Sequence, residues 1–198
     1  MLNPKVLRVT ATAFAALVIS ACATISSDDN TQPLLYPELY RQALTSYPGS
    51  ASVSDQTVQR FVDFLADLGS PTSGKVADEV YARDLHFSDA LMVTNDKQAV
   101  VNHFASLSDA GTEVDVEIHQ ILRQGADVYL IWSMQARFKP LRREVSSDTL
   151  GATHVRFDSA GKVVLHQDFW DSGLGFYSHI PVLGAGVRAV GRRFAAEP

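Results

Sequence analysis

His166, Asp168 and Trp170 stand two residues apart in the segment Leu165 to Asp171. In an extended strand that spacing puts an imidazole, a carboxylate and an indole on one face, and Leu165, Gln167, Phe169 and Asp171 on the other. At a pocket wall such a carboxylate is a proton carrier. Burial raises its pKa and a neighbouring imidazolium lowers it, and a group tuned toward the working pH can move a proton on an enolisable or epoxide substrate. The plainer role for Asp168 is to fasten a strand end to nearby backbone amides. Asp89 is a second candidate, following the strand-like Leu85-His86-Phe87 and preceding a helix, where its ordinary role is a turn or cap. Tyr81 offers a hydroxyl donor from a helical wall. Tyr129, Trp132 and Trp170 imply an apolar or ring-shaped ligand if they line a cavity, and core packing if they do not.

Several chemistries have little to stand on. His86, His103, His119, His154, His166 and His179 form no close pair at ligand spacing, so no metal is expected. Only convergence of His154 and His166 across the last hairpin would reopen that question. No cofactor is expected, and the Gly-x-Ser-x-Gly pattern of a serine hydrolase is absent. The chain has 17 basic and 22 acidic residues and a net charge of −5. Nucleic-acid binding, which uses clustered Lys and Arg to neutralise phosphates, is therefore not expected.

The elements that must position these groups change period along the chain. Ser54 is a good N-cap for a helix whose Val58, Phe61, Val62, Leu65 and Leu68 recur at three- and four-residue intervals before Gly69. A short second helix is suggested by Val76, Val80 and Tyr81. A third follows from a cap at Asn95 or Asp96 through Val100, His103, Phe104 and Leu107. From Thr112 the period becomes two: Val114, Val116 and Ile118 alternate with Asp115, Glu117 and His119. A turn at Gly125 to Asp127 leads into a mostly apolar strand from Val128 to Phe138. A third strand runs from about Val145 to Phe157, with a bulge or bend expected at Gly151. Asp158 to Gly161 then turn the chain into a last strand from Lys162 to Trp170. Helices first and antiparallel strands after give an α+β fold, a curved sheet over about three helices enclosing a conical hollow.

The ends of the chain carry a different signal. Lys5 and Arg8 precede an apolar run from Ala13 to Ile19, too short to span a bilayer alone. Ile19-Ser20-Ala21-Cys22 resembles the lipobox of bacterial lipoproteins, and Cys22 is the chain's single cysteine. That resemblance implies a signal peptide over 1–21 and a lipid on Cys22. An ordinary secretory signal, or a buried helix with an incidental cysteine, is the alternative. Ala23, with no aspartate after the cysteine, implies an outer-membrane lipoprotein on the periplasmic face. Residues 22–53 read as a tether with a short amphipathic helix around Leu35 to Leu44, which either docks on the domain or meets a partner. Residues 181–198 read as a basic, apolar tail that packs on the protein or lies on an anionic membrane surface.

The opening helix Val58 to Leu68, the segment Tyr81 to Asp89, the helix Lys97 to Leu107 and the strand His166 to Asp171 resemble, in order and type, the nuclear transport factor 2-like superfamily. This group includes ketosteroid isomerase-like and SnoaL-like proteins and limonene epoxide hydrolases. The resemblance covers about residues 54–180. It implies a cone-shaped pocket, acidic residues inside it as proton carriers, Asp89 at its mouth, and a homodimer built sheet to sheet. The expected function is an envelope-anchored periplasmic lipoprotein whose cone binds a small apolar molecule or supports a protein partner. The alternative is an acid–base enzyme of the isomerase, polyketide-cyclase or epoxide-hydrolase type, with Asp168 as proton carrier and His166, Asp89 or Tyr81 assisting.

Overall fold

The computed structural model describes residues 36–109, 112–139 and 144–194. The expected signal peptide, the lipidated Cys22 and the tether as far as Leu35 lie outside the described residues. Six helices and six strands follow one another as α1 (Tyr36–Ser46), α2 (Asp55–Ala66), α3 (Ser73–Val80), β1 (Tyr81–Ser88), β2 (Val93–Asp96), α4 (Lys97–Asp109), β3 (Glu113–Gln124), β4 (Asp127–Phe138), β5 (Val145–Phe157), β6 (Val163–Trp170), α5 (Ser172–Gly175) and α6 (Leu183–Phe194). The strands form one sheet in the order β2-β1-β6-β5-β4-β3.

The α+β class and the curved sheet over helices are as expected, but the sheet is mixed, because β1 runs parallel to β6. Tyr81 is therefore the first residue of a strand and not part of a helical wall. Leu85, His86, Phe87 and Ser88 are all buried. A strand covered on both faces shows no two-residue alternation, which is why its length was not readable.

Capping and periodicity set α2. The Ser54 hydroxyl accepts from the Thr57 amide at 3.1 Å, an arrangement worth about 1 kcal/mol. Val58, Phe61, Phe64 and Leu65 then face the sheet. They pack with Ala77 of α3, Val100 and Phe104 of α4, and Val116, Val128, Leu130, Trp132, Val155 and Phe157 of the sheet. α4 is capped by Asp96, whose carboxylate accepts from the Gln98 amide.

The long hairpins keep strict register. β4 and β5 pair without interruption from Val128 opposite Val155 to Phe138 opposite Val145. Gly151 is thus not a bulge. It lies opposite Trp132, and a Cβ there would sit 2.3 Å from two indole carbons. The glycine makes room for the ring.

α1 lies on the outer face of the sheet. Its Tyr40 hydroxyl is 2.8 Å from His154 Nδ1, and its ring packs edge-on against Phe169. His154 Nε2 meets Asp127 Oδ1 at 2.8 Å, and Arg156 Nε donates to the same oxygen at 2.6 Å. Arg156 Nη1 donates onward to the carbonyls of Leu44 and Tyr47 at the end of α1. Among the described residues no helix is long and apolar enough to cross a membrane.

Candidate functional site

β6 carries the centre of the site, and its register decides which side chains enter the hollow. Thr153 pairs with Asp168, Gly151 with Trp170 and Val155 with His166. These six share the concave face, as the two-residue period requires. A cavity of about 240 Å³ opens there between the sheet and α2 and α4. Its walls are largely apolar and aromatic, from Leu65, Leu68, Phe87, Phe104, Leu107, Val114, Trp132, Met134 and Phe176. The polar groups that line it are few: Asp168, His166, Thr153, Asp89, His103, Ser147 and Thr112.

Asp168 Oδ1 accepts two bonds, one from the Thr153 hydroxyl at 2.6 Å and one from His166 Nε2 at 2.9 Å. Among the described residues no protein donor reaches Oδ2. Behind this carboxylate the network continues in two directions. Trp132 Nε1 donates to Thr153 Oγ1 at 2.9 Å, which orients the threonine proton toward Asp168. The Tyr81 hydroxyl is 2.6 Å from His166 Nδ1. An ionised Asp168 requires Nε2–H to donate, and the neutral ring then presents Nδ1 as an acceptor to Tyr81. Burial, together with the charges of Asp168 and Asp89, pushes the Tyr81 hydroxyl well above its ordinary pKa, so it keeps its proton. Buried polar groups are costly unless paired, and each member of this chain has a partner.

Asp89 both turns the chain and faces the cavity. Its Oδ1 accepts from the amides of Leu91 and Met92, closing the turn between β1 and β2. Its Oδ2 meets His103 Nε2 at 2.9 Å. Burial alone would raise this carboxyl, but the His103 bond and charge and the two amides outweigh it and hold Asp89 below the usual carboxylate range. Trp170 Nε1 donates to the Asp89 carbonyl at 2.8 Å, tying the turn to β6.

The structure brings Asp168, His166, Asp89, Trp132 and Trp170 to one hollow. Tyr81 reaches it only through His166, being itself buried. Tyr129 does not reach it. It stands on the outer face, stacked on His154 at 4.5 Å. Tyr129 and Trp132 are three residues apart on one strand, an odd separation that forces opposite faces. His154 and His166 are likewise on opposite faces, since His154 pairs with Gln167 and not with His166. No three metal-ligating side chains cluster among the described residues.

Four polar members of the site were not legible in advance, Thr112 just before β3 among them. Thr153 is an ordinary strand former, and only its register with Asp168 reveals it. Ser147 is distinguished by its position on the same face of β5. His103 was readable as a helix residue, and the signal missed was a titratable group one position from Phe104 on the core-facing stripe of α4.

Comparison with known proteins places this geometry in a class. The family model for the SnoaL-like domain matches residues 58–166, more than half of the chain. The protein therefore belongs to the SnoaL-like domain family, and its fold is that of the nuclear transport factor 2-like group. A putative SnoaL-like polyketide cyclase from Shewanella denitrificans aligns at 17% identity over 61% of this chain and 94% of its own, with a TM-score of 0.52. One from Shewanella putrefaciens aligns at 18% identity over 61% and 93%, with a TM-score of 0.51. A protein of ketosteroid isomerase-like fold from Catenulispora acidiphila, crystallised with trimethylamine, aligns at 16% identity over 62% and 91%, with a TM-score of 0.50. No curated protein matches the chain. At these identities the neighbours establish the fold. Asp168 lies two residues past the end of the family match, so its role is argued from its surroundings.

Proposed function

We propose that the cone binds a small, mostly apolar molecule and that Asp168 moves a proton on it, making the protein an acid–base enzyme of the isomerase or cyclase kind. The observation that carries this reading is the carboxylate at an apolar wall, with one oxygen fixed by Thr153 and His166 and the other without a protein donor. A fixed oxygen orients the free one, and a pocket that excludes water strengthens its action on a C–H or O–H bond of the ligand. His166 is held by Tyr81, so the base is positioned by a chain of paired groups. The Asp89–His103 pair stands in the same cavity as a second polar contact that can orient the ligand, while Asp168 itself returns the proton it has taken.

Simple ligand capture without turnover is the second reading, favoured by the largely apolar and aromatic walls of the cavity. The envelope address is also proposed, on the order cation, apolar run, small residues and Cys22. So is pairing of two copies, supported by exposed Leu122, Leu150 and Phe169 on the outer face.

Trp132 and Trp170 are the only two tryptophans and both line the cavity, so indole fluorescence reports occupancy. The test titrates the full chain with small cyclic ketones and enones in D2O and follows deuterium entry into their acidic C–H bonds. Catalysed exchange is expected, falling about 10²- to 10⁴-fold in Asp168→Asn while the fluorescence change persists. Fluorescence change without exchange in the unsubstituted protein would leave capture as the function, and neither signal would remove both readings. Intact mass of the same preparation checks Cys22, with the added lipid expected to disappear in Cys22→Ala.

A further inference from the structure

α6 presents an amphipathic stripe that the described residues leave exposed except at the half-buried Val187. Leu183, Val187, Val190 and Phe194 recur at four, three and four residues, which at 100° per residue confines them to an arc of about 60°. Leu183, Val190 and Phe194 are 48%, 60% and 81% exposed. Isolated exposed apolar residues are ordinary, but a continuous stripe on one helix is not.

The helix is held along its flank. Gly184 is buried against the Ser178 carbonyl, where a Cβ would come within 2.0 Å of that oxygen, and Arg188 donates to the same carbonyl. This attachment leaves Leu183, Val190 and Phe194 of the stripe exposed. From Ser172 to Phe194 the sequence has no acidic residue, and Arg188, Arg192 and Arg193 stand on α6, in a chain whose net charge is −5. This stretch is therefore cationic within a chain that is acidic overall.

We propose that α6 is an interfacial helix that lies on an anionic lipid bilayer, its apolar stripe inserted at the headgroup boundary, Arg193 beside the stripe among the lipid phosphates, and Arg192 on the far side adding longer-range attraction. Charge selects the occupant. Two copies of α6 pairing along their stripes would bring six arginines together without an acidic partner from either helix, whereas a bilayer containing acidic phospholipid supplies both the apolar layer and the counter-charge. The inference does not depend on the chemistry of the cone or on lipidation of Cys22.

The experiment is hydrogen–deuterium exchange of the full chain with vesicles of phosphatidylcholine alone and of phosphatidylcholine mixed with phosphatidylglycerol, read on peptides covering 183–194. Because the readout is local, attachment through another part of the chain does not register. Protection of α6 is expected only with phosphatidylglycerol, weakening as salt rises. Arg192→Gln with Arg193→Gln should lower it on the order of tenfold or more, and Val190→Asp should abolish it. These positions are exposed and outside the core, so the fold is not at stake. Equal exchange with both vesicles would overturn the proposal. So would protection without vesicles that grows with protein concentration, the mark of a second copy on the stripe.

Discussion

Asp168 illustrates how a single residue's role is set by what fixes its neighbours. Its Oδ1 is held by Thr153, which is oriented by Trp132, whose ring occupies the space that Gly151 leaves open. Gly151→Ala would place a methyl group within van der Waals overlap of that ring, and overpacking of this kind costs about 1–3 kcal/mol. Two outcomes are expected: a lower urea midpoint and a changed near-ultraviolet dichroism of Trp132. An unchanged midpoint and spectrum would mean that the indole is not confined by β5. At this scale the period-two reading correctly grouped His166, Asp168 and Trp170, because alternation along one strand is a local property. Thr153 was not legible, and Tyr81 was legible as a donor but not as the partner of His166, since pairing across strands depends on register and on residues as far as 85 positions away.

At the scale of elements, α1 is joined to the sheet by a polar chain and not by a broad apolar face. Arg156 links Asp127 to two carbonyls at the end of α1, and Tyr40 links the helix to His154. Hydrogen bonds to charged groups are worth about 1.5–3 kcal/mol. Arg156→Gln should therefore speed amide exchange in 36–46 by about ten- to a hundredfold, with ligand binding in the cone unchanged. Exchange at the wild-type rate would show that Ala43 and the Phe169 contact suffice to hold α1. Helices α2 to α4 and the long strands were legible because apolar residues recur along them at helical or strand spacing, whereas α6 was read only as a basic, apolar tail. β1 was not, because its two covered faces erase the pattern and its parallel pairing to β6 joins segments far apart in sequence.

For the whole molecule, buried imidazoles link stability to acidity. Burial depresses the pKa of His86, with only a partial offset from Gln167, and likewise that of His154 despite Asp127. Both rings bind protons less readily folded than unfolded. As pH falls through about 6.5, the unfolded chain takes up protons first, so folding stability is lost on acidification. Asp89 and Asp127 are held below the usual range, and their contribution, present at neutral pH, is lost only at more acidic values. The denaturation midpoint is expected to be lower at pH 5.5 than at pH 7.5, with a shallower dependence in His154→Gln. A midpoint independent of pH would contradict the depressed imidazoles.

The hairpin from β5 to β6 carries His166 and Asp168, joined to Tyr81 of β1, on its concave side and His154, joined to Tyr40 of α1 and Asp127 of β4, on its convex side, the two histidines offset by a single position. Its tip, Asp158 to Gly161, is stapled by the Asp158 carboxylate to two amides, and Gly161 adopts a left-handed φ of +76°. Side chains switch sides with every step along a strand, so a slip of one residue at this tip would turn the acid outward and send Gln167 inward. The handedness of the hollow's chemistry is thus decided at a surface corner remote from it, where an inserted or deleted residue would silence the interior without touching any group that lines it.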